Sequence, residues 1–313
     1  MTKLSGSVPA VRFIYQYPDT HGSEGDMLDA GPVAEMGARA ESCGWSGFAF
    51  TEHPVPGSKW LESGGHQSLD PFVALGHVAA VTTRLRLLTY LTVLPYRNPS
   101  LAAKAAATVD RLSKGRFVLG VGAGYLKAEF HALGVDFDER NALFDEALDV
   151  LPLHWSGRPF DYEGRGFSAR QVIGLPRPAQ DPIPIWIGGN SALARQRVAR
   201  RAQGWMPLTG PVDISATTRT PRIDSVDDLG RRIRALRVEA GDRADGIDIA
   251  VAYTDPTIAR PDVDVERHRD ALGRLEDVGA TWILLPAPPG AYPATAEYME
   301  AFARTYIAPG FDA

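Results

Sequence analysis

Two hydrophobic rhythms alternate along this chain of 313 residues. Short runs rich in β-branched and aromatic residues recur, and most are followed by a longer stretch with apolar positions three and four residues apart. The first rhythm predicts buried strands, the second amphipathic helices. Strands are expected at residues 11–17, 45–51, 85–94, 116–120, 183–187, 205–208, 247–253 and 281–285. Helices are expected at 27–42, 125–133, 136–155, 227–240, 265–278 and 294–306, with another over ALARQRVARRA. Two more carry clear start signals, Asp70-Pro71 and Asn98-Pro99, each a capping side chain followed by proline at the first helical position. Gly31-Pro32 marks the true first turn of the 27–42 helix, and Gly115 closes the helix that opens at Asn98.

The segment LRLLTYLTVLPYRNPSLAAKAAATVDRLSKGRFVLGVGAG, residues 85–124, is a βαβ unit, which requires a parallel sheet with covered faces. Eight strand–helix repeats in order predict a closed (β/α)8 barrel, an α/β fold, with a doubly wound open sheet as the alternative. The whole chain, 1–313, is expected to be one such domain. Polar, Gly- and Pro-rich stretches at 156–183 and 209–225 read as insertions, the first as a small hairpin.

Composition narrows the partners. Net charge is −5, which argues against a nucleic-acid surface and suits small-molecule chemistry. The N-terminal MTKLSGSVPAVRF lacks the apolar core of a signal peptide, and no apolar run approaches the ~20 residues of a membrane span, so no membrane partner and a cytoplasmic location are expected. Cys43 is the single cysteine and reads as a small apolar filler.

Chemistry in a parallel barrel gathers where the strands end at their carboxyl edge. There the chain offers Glu52-His53, a carboxylate and an imidazole able to exchange protons near neutral pH. His53 bonded merely to a neighbouring loop is the alternative. Gly122-Ala123-Gly124-Tyr125 and Gly188-Gly189-Asn190-Ser191 follow two other strands. Glycines there admit a flat ligand or a phosphate close to the backbone, and a helix N-terminus after Ser191 favours an anion. Glycines that only make tight turns are the alternative; two such turns at one mouth favour a phosphorylated cofactor. The first turn lacks the third glycine of a dinucleotide fingerprint. No cluster of His, Cys, Asp or Glu has ligand spacing, so no metal is expected. Trp60, Trp186 and Trp205 are candidate flat walls, although aromatic residues in barrel strands more commonly pack the core. His66 in the loop after the second strand is a candidate for lining the mouth.

These residues resemble the luciferase-like flavin and deazaflavin oxidoreductases, and most closely their branch dependent on coenzyme F420. The resemblance rests on TEH at 51–53, on LPYRNP at 94–99 with the helix that follows, on GVGAGY with Glu129, and on PIPIWIGGNS at 182–191. It implies hydride transfer between coenzyme F420 and a small organic substrate, with His53 as proton donor or acceptor or steadying the charge that develops on the ring, and Glu52 tuning His53 or hydrogen-bonding the cofactor. It also implies a bulge near Leu91-Thr92, often with a non-proline cis peptide, behind the ring. Phosphate contacts are implied at Gly188, Gly189 and Asn190, with Gly122 to Gly124 close by. Tyr125 stands where the sugar-phosphate dehydrogenases carry an acid, which points away from a glucose-6-phosphate-like substrate. An FMN-dependent monooxygenase using oxygen is the alternative enzyme, and a non-catalytic flavin-binding protein the alternative of another class. An oligoglutamate tail on the cofactor calls for basic rim residues, for which Lys59, Arg97, Lys127 and Arg165 are candidates. Members of the family are often dimers, so a homodimer is an expectation of the resemblance.

Overall fold

The computed structural model describes residues 11–210 and 217–307. Among the described residues eleven strands follow in order: β1 (Arg12–Gln16), β2 (Gly47–Phe50), β3 (Arg86–Thr89), β4 (Thr92–Val93), β5 (Phe117–Gly122), β6 (Pro159–Glu163), β7 (Ser168–Ile173), β8 (Ile185–Gly188), β9 (Gly204–Met206), β10 (Asp248–Ala252) and β11 (Trp282–Pro286). All but β6 and β7 form one parallel sheet in the order β3-β2-β1-β11-β10-β9-β8-β5-β4, and β3 also pairs with β5, which closes it. β3 and β4 are two halves of one barrel strand, so the barrel has the expected eight staves. They are separated at Tyr90-Leu91, whose peptide bond is cis. The continuous strand expected over 85–94 is therefore corrected: the ladder breaks one residue before the position where a bulge was expected.

Helices α1 (Val33–Ser42), α2 (Ser58–Glu62), α3 (Pro71–Val81), α4 (Pro99–Leu112), α5 (Lys127–Ala132), α6 (Arg140–Trp155) and α7 (Ala192–Arg201) come first, and Val226–Ala240, Val265–Asp277 and Ala294–Phe302 follow. The start signals act as expected: Asp70 accepts from the N–H groups of Phe72 and Val73, and Asn98 from Ser100. Residues 27–42 divide into a 3₁₀ turn, Met27–Ala30, and α1, with the break at Gly31-Pro32. The insertion at 156–183 carries the antiparallel hairpin β6–β7. Within the second insertion, 211–216 lie outside the described residues. The loop 54–69 contains α2, which its polar, Gly-rich sequence does not announce.

Strand alternation sorts the core into two layers. Ile14, Ala49, Leu88, Val118, Trp186, Met206, Ala250, Trp282 and Leu284 fill the barrel. Their neighbours, among them Tyr15, Phe48, Leu87, Leu119, Val121, Ile187, Trp205 and Ile283, pack against the helices. Trp186 stacks edge-on to Trp282 at 5.6 Å inside the barrel, so it is core and not a cofactor wall. Among the described residues, no helix is long and apolar enough to cross a membrane.

Candidate active site

The same alternation decides what faces the mouth. Glu52 and His53 are adjacent, yet their side chains have separate surroundings. The buried carboxylate of Glu52 accepts from the Val93 N–H at 2.7 Å and forms an ion pair with Arg97, whose Nε lies 3.2 Å from Oε1. Burial pushes its carboxyl pKa up, and the Arg97 charge and hydrogen bonds oppose this. Glu52 thus fixes the backbone just after the cis peptide; the expectation that it tunes His53 is corrected.

The acid that meets His53 is Glu129 on α5. Its fully buried carboxylate accepts from His53 Nδ1 at 3.2 Å, from the Tyr96 hydroxyl at 2.8 Å and from the Val55 N–H at 3.3 Å. Three donors on one carboxylate define an acceptor-only group. Nδ1 therefore carries the proton, and Nε2 is left towards the Tyr125 hydroxyl, 3.5 Å away. Burial, then the Glu129 charge, hold the Tyr96 and Tyr125 phenols above their ordinary range, so both remain hydrogen-bond donors.

Loop 54–69 packs over this imidazole. The Trp60 ring lies 4.5 Å from that of His53, and the His66 ring meets it edge-on at 4.9 Å. The loop is tied to the segment after β1 by Gly22 N–H to Gly65 carbonyl and Gln67 N–H to Thr20 carbonyl bonds. In that segment Asp19 accepts from Gln16 and Thr51, both at 2.8 Å, and lies 3.7 Å from His66 Nδ1. Burial is the largest influence on both, raising the Asp19 carboxyl and lowering the His66 imidazole. His66 Nδ1 donates to its own neighbour's carbonyl, Gln67, at 2.9 Å.

Beside this polar wall the floor is apolar. Leu91 lies between Gly122 and Gly188: a Cβ on the first would come within 2.6 Å of Leu91 Cδ1, and on the second within 2.4 Å of Cδ2. Gly124 needs its freedom twice over, with φ +80° and a Cβ position 2.6 Å from Val93 Cγ1. The two glycines thus let the Leu91 side chain pack against the ends of β5 and β8. Thr92 is corrected. It pairs with Val121 of the helix-facing layer and is fully buried, so its side chain leaves the mouth.

The turn after β8 also differs from expectation. Asn190 is fully buried and its N–H bonds the Thr220 hydroxyl at 2.9 Å. Its amide joins Leu208 and the Pro221 carbonyl. Gly189 N–H bonds the Met206 carbonyl at 3.2 Å, and the Gly189 carbonyl accepts from Trp205 Nε1. Asn190 is thus a staple between two crossovers, and its expected phosphate contact is corrected. The donors that remain belong to the first turn of α7, where N–H groups precede any intrahelical acceptor. Ser191 caps that helix through Ala194 N–H, and Arg195 Nε is buried without a hydrogen-bond partner. An anion fits there.

Of the four basic rim candidates, Arg97 is engaged by Glu52 and Asp70, and Arg165 by Glu139, while Lys59 and Lys127 are exposed. Among the described residues, no group of three or more His, Cys, Asp or Glu side chains could hold a metal ion. Glu129, Tyr96 and Asp19 are site residues that residue patterns did not reveal. Glu129 stood in a quoted motif without a role, because nothing local says that a helix after β5 turns its acid towards the end of β2.

Known proteins match this chain in sequence and fold. The family model for luciferase-like monooxygenases matches residues 12–302. An uncharacterised protein of Mycobacterium tuberculosis H37Rv is 32% identical over 221 residues, covering 71% of this chain and 68% of that one. The F420-dependent glucose-6-phosphate dehydrogenase of Nakamurella multipartita is 29% identical over 235 residues, covering 73% of this chain and 66% of the enzyme. Among solved structures, the monooxygenase RslO1 of Streptomyces bottropensis superposes with a TM-score of 0.73 at 22% identity, covering 95% of this chain and 98% of its own, a likeness of fold.

Proposed function

Because the chain belongs to the luciferase-like monooxygenase family, we propose that it is an oxidoreductase dependent on the deazaflavin coenzyme F420 and acting on a small organic substrate. One observation carries this reading. His53 is held by a buried carboxylate with Nε2 directed at the Tyr125 hydroxyl, near Leu91, whose side chain packs into the space left by the missing Cβ atoms of Gly122 and Gly188. The F420-dependent relative from Nakamurella supports the choice of cofactor.

The bed for the ring is Leu91, Gly122, Ala123, Gly124 and Tyr125, and the phosphate end lies past Gly188 towards Ser191 and the first turn of α7, since the Gly189 N–H is already bonded to the Met206 carbonyl. A bound deazaflavin supplies the two-electron hydride chemistry, and the protein contributes orientation and proton handling. His53 Nε2 takes the proton of a substrate hydroxyl, or returns it to the oxygen of a carbonyl. Glu129 holds the imidazole in one tautomer and stabilises the imidazolium once both nitrogens are protonated. Tyr125 donates to Nε2 while it is vacant and gives way to substrate. Trp60 and His66 cover the imidazole and limit water around it. Substrate choice falls to loop 54–69 and the insertions at 156–183 and 209–225, which differ in sequence from the regular staves.

Titration of the apoprotein with coenzyme F420 and with FMN, followed by fluorescence quenching, and oxygen uptake with each cofactor supplied in its reduced form, test this. Tight F420 binding with turnover on an alcohol, ketone or enone panel and no oxygen uptake is expected. Selective FMN binding with oxygen uptake assigns the monooxygenase reading, and binding without turnover the carrier.

A further inference from the structure

Most arginines around the mouth are matched by a carboxylate: Arg97 by Glu52, Arg165 by Glu139, Arg197 by Asp145 and Arg232 by Asp228. Among the cations that lack such a partner, three gather on one aromatic ring. Lys127 Nζ, Arg140 Cζ and Arg219 Cζ lie 5.1, 3.9 and 5.2 Å from the centroid of one ring, Phe137. None of the three forms an ion pair among the described residues. Arg140 is further fixed by donating to the Phe137 carbonyl at 2.8 Å. The ring draws cations by its quadrupole, yet it cannot neutralise three of them.

The cluster has a definite address. Phe137 meets Phe130 edge-on at 5.2 Å, and Phe130 fills the space that a Cβ on Gly124 would enter. Arg219 precedes Thr220, whose hydroxyl holds the Asn190 N–H. The cations therefore bridge from the turn after β5 to the turn after β8, on the side of the mouth where the phosphate end is placed. Lys127 and Arg219 are exposed, and Phe137 and Arg140 half-buried, so the cluster is open to a ligand leaving the barrel.

We propose that Lys127, Arg140 and Arg219 form a rim site for a flexible chain of carboxylates, gripping the oligoglutamate tail of coenzyme F420 beyond its phosphate. This rests on the deazaflavin reading above and adds to it a site that distinguishes F420 from FMN, which has no such tail. Exposed charge pairs of this kind are individually weak, so affinity comes from three acting together and is screened by salt.

The test is fluorescence titration of wild-type protein and of the Lys127→Gln, Arg140→Gln, Arg219→Gln triple variant. The ligands are F420 with its oligoglutamate tail, the tail-free deazaflavin riboside, and FMN. The triple variant is expected to lose about tenfold or more in affinity for F420 at low salt, at about two- to fivefold per cation. Its affinity for the riboside and for FMN is expected to stay as in the wild type, and the F420 difference to shrink at high salt. Arg140→Lys with Arg219→Lys should keep most of the F420 affinity. A triple variant that binds F420 like the wild type, or that weakens for all three ligands alike, overturns the tail site and leaves the deazaflavin reading standing. Wild-type protein that binds neither deazaflavin overturns both.

Discussion

His53 and Glu52 share a peptide bond and divide their labour. Period-two alternation sends one side chain to the mouth and its neighbour to the helical layer, where Val93 N–H and Arg97 receive it. Two substitutions test the first of these roles. His53→Ala is expected to lower kcat about 10²- to 10⁴-fold, the usual worth of a positioned acid–base group, with cofactor Kd changed little. Stopped-flow turnover beside a binding titration checks this, and an equal loss in both would reduce His53 to a ligand contact. Glu129→Gln removes the anion from the buried cluster while keeping its shape. The imidazolium formed in turnover loses its anionic partner, so kcat should fall about tenfold or more with cofactor Kd changed little, read by the same two measurements. The imidazole was legible from its strand-end position. Its acid partner was not, because 76 residues separate His53 from Glu129 in the chain.

Elements meet through glycines and carboxylates that local pattern leaves unassigned. Gly188 looked like a phosphate turn, and its missing Cβ also makes room for Leu91. Gly188→Ala should push the Leu91 side chain up into the mouth, at a cost to stability of about 1–3 kcal/mol from overpacking, and weaken cofactor binding. The double variant with Leu91→Ala should recover the lost affinity; failure to recover would place the glycine's role in the backbone. Glu41, at the end of α1, accepts from the N–H groups of Thr83, Arg84 and Leu85 and so ties α1 to the start of β3. Partial burial works to raise its pKa, and the backbone donors overcome this and hold it at about 2, below the ordinary 4.5. A lowered carboxylate pKa stabilises the fold above the unfolded value and ceases to do so as pH falls through the folded one. Glu41→Ala should therefore lower Tm at neutral pH, and the gap from the wild type should close between about pH 4.5 and pH 2. Thermal melts across that window measure it. Caps and turn prolines in the sequence did announce where α3 and α4 begin, since those signals act within one turn.

At the scale of the molecule, a ring of eight staves must close, and its ends must be sealed. Arg116 does this at the amino end of β5. It is buried and donates to Ser113, Thr82, Leu85 and Ala79, through Nε and both Nη atoms. Carbonyl oxygens from α3, α4 and the approach to β3 thus satisfy one guanidinium. An ammonium cannot match that fork, so Arg116→Lys should cost about 2–4 kcal/mol in urea denaturation, from charged hydrogen bonds lost in a buried place. A cost under 0.5 kcal/mol would show that water replaces them. The order of strands and helices, the parallel sheet and the edge that bears the site were all written in the hydrophobic rhythm, because period and polarity are properties of consecutive residues. Closure through β3 and β5, the break at Tyr90-Leu91, the turning away of Glu52, Thr92 and Asn190 from the mouth, and the meeting of His53 with Glu129 belong to the tertiary structure alone. They depend on which distant segments are brought together when the sheet twists and closes, and contacts across the barrel leave no periodic trace in one sequence.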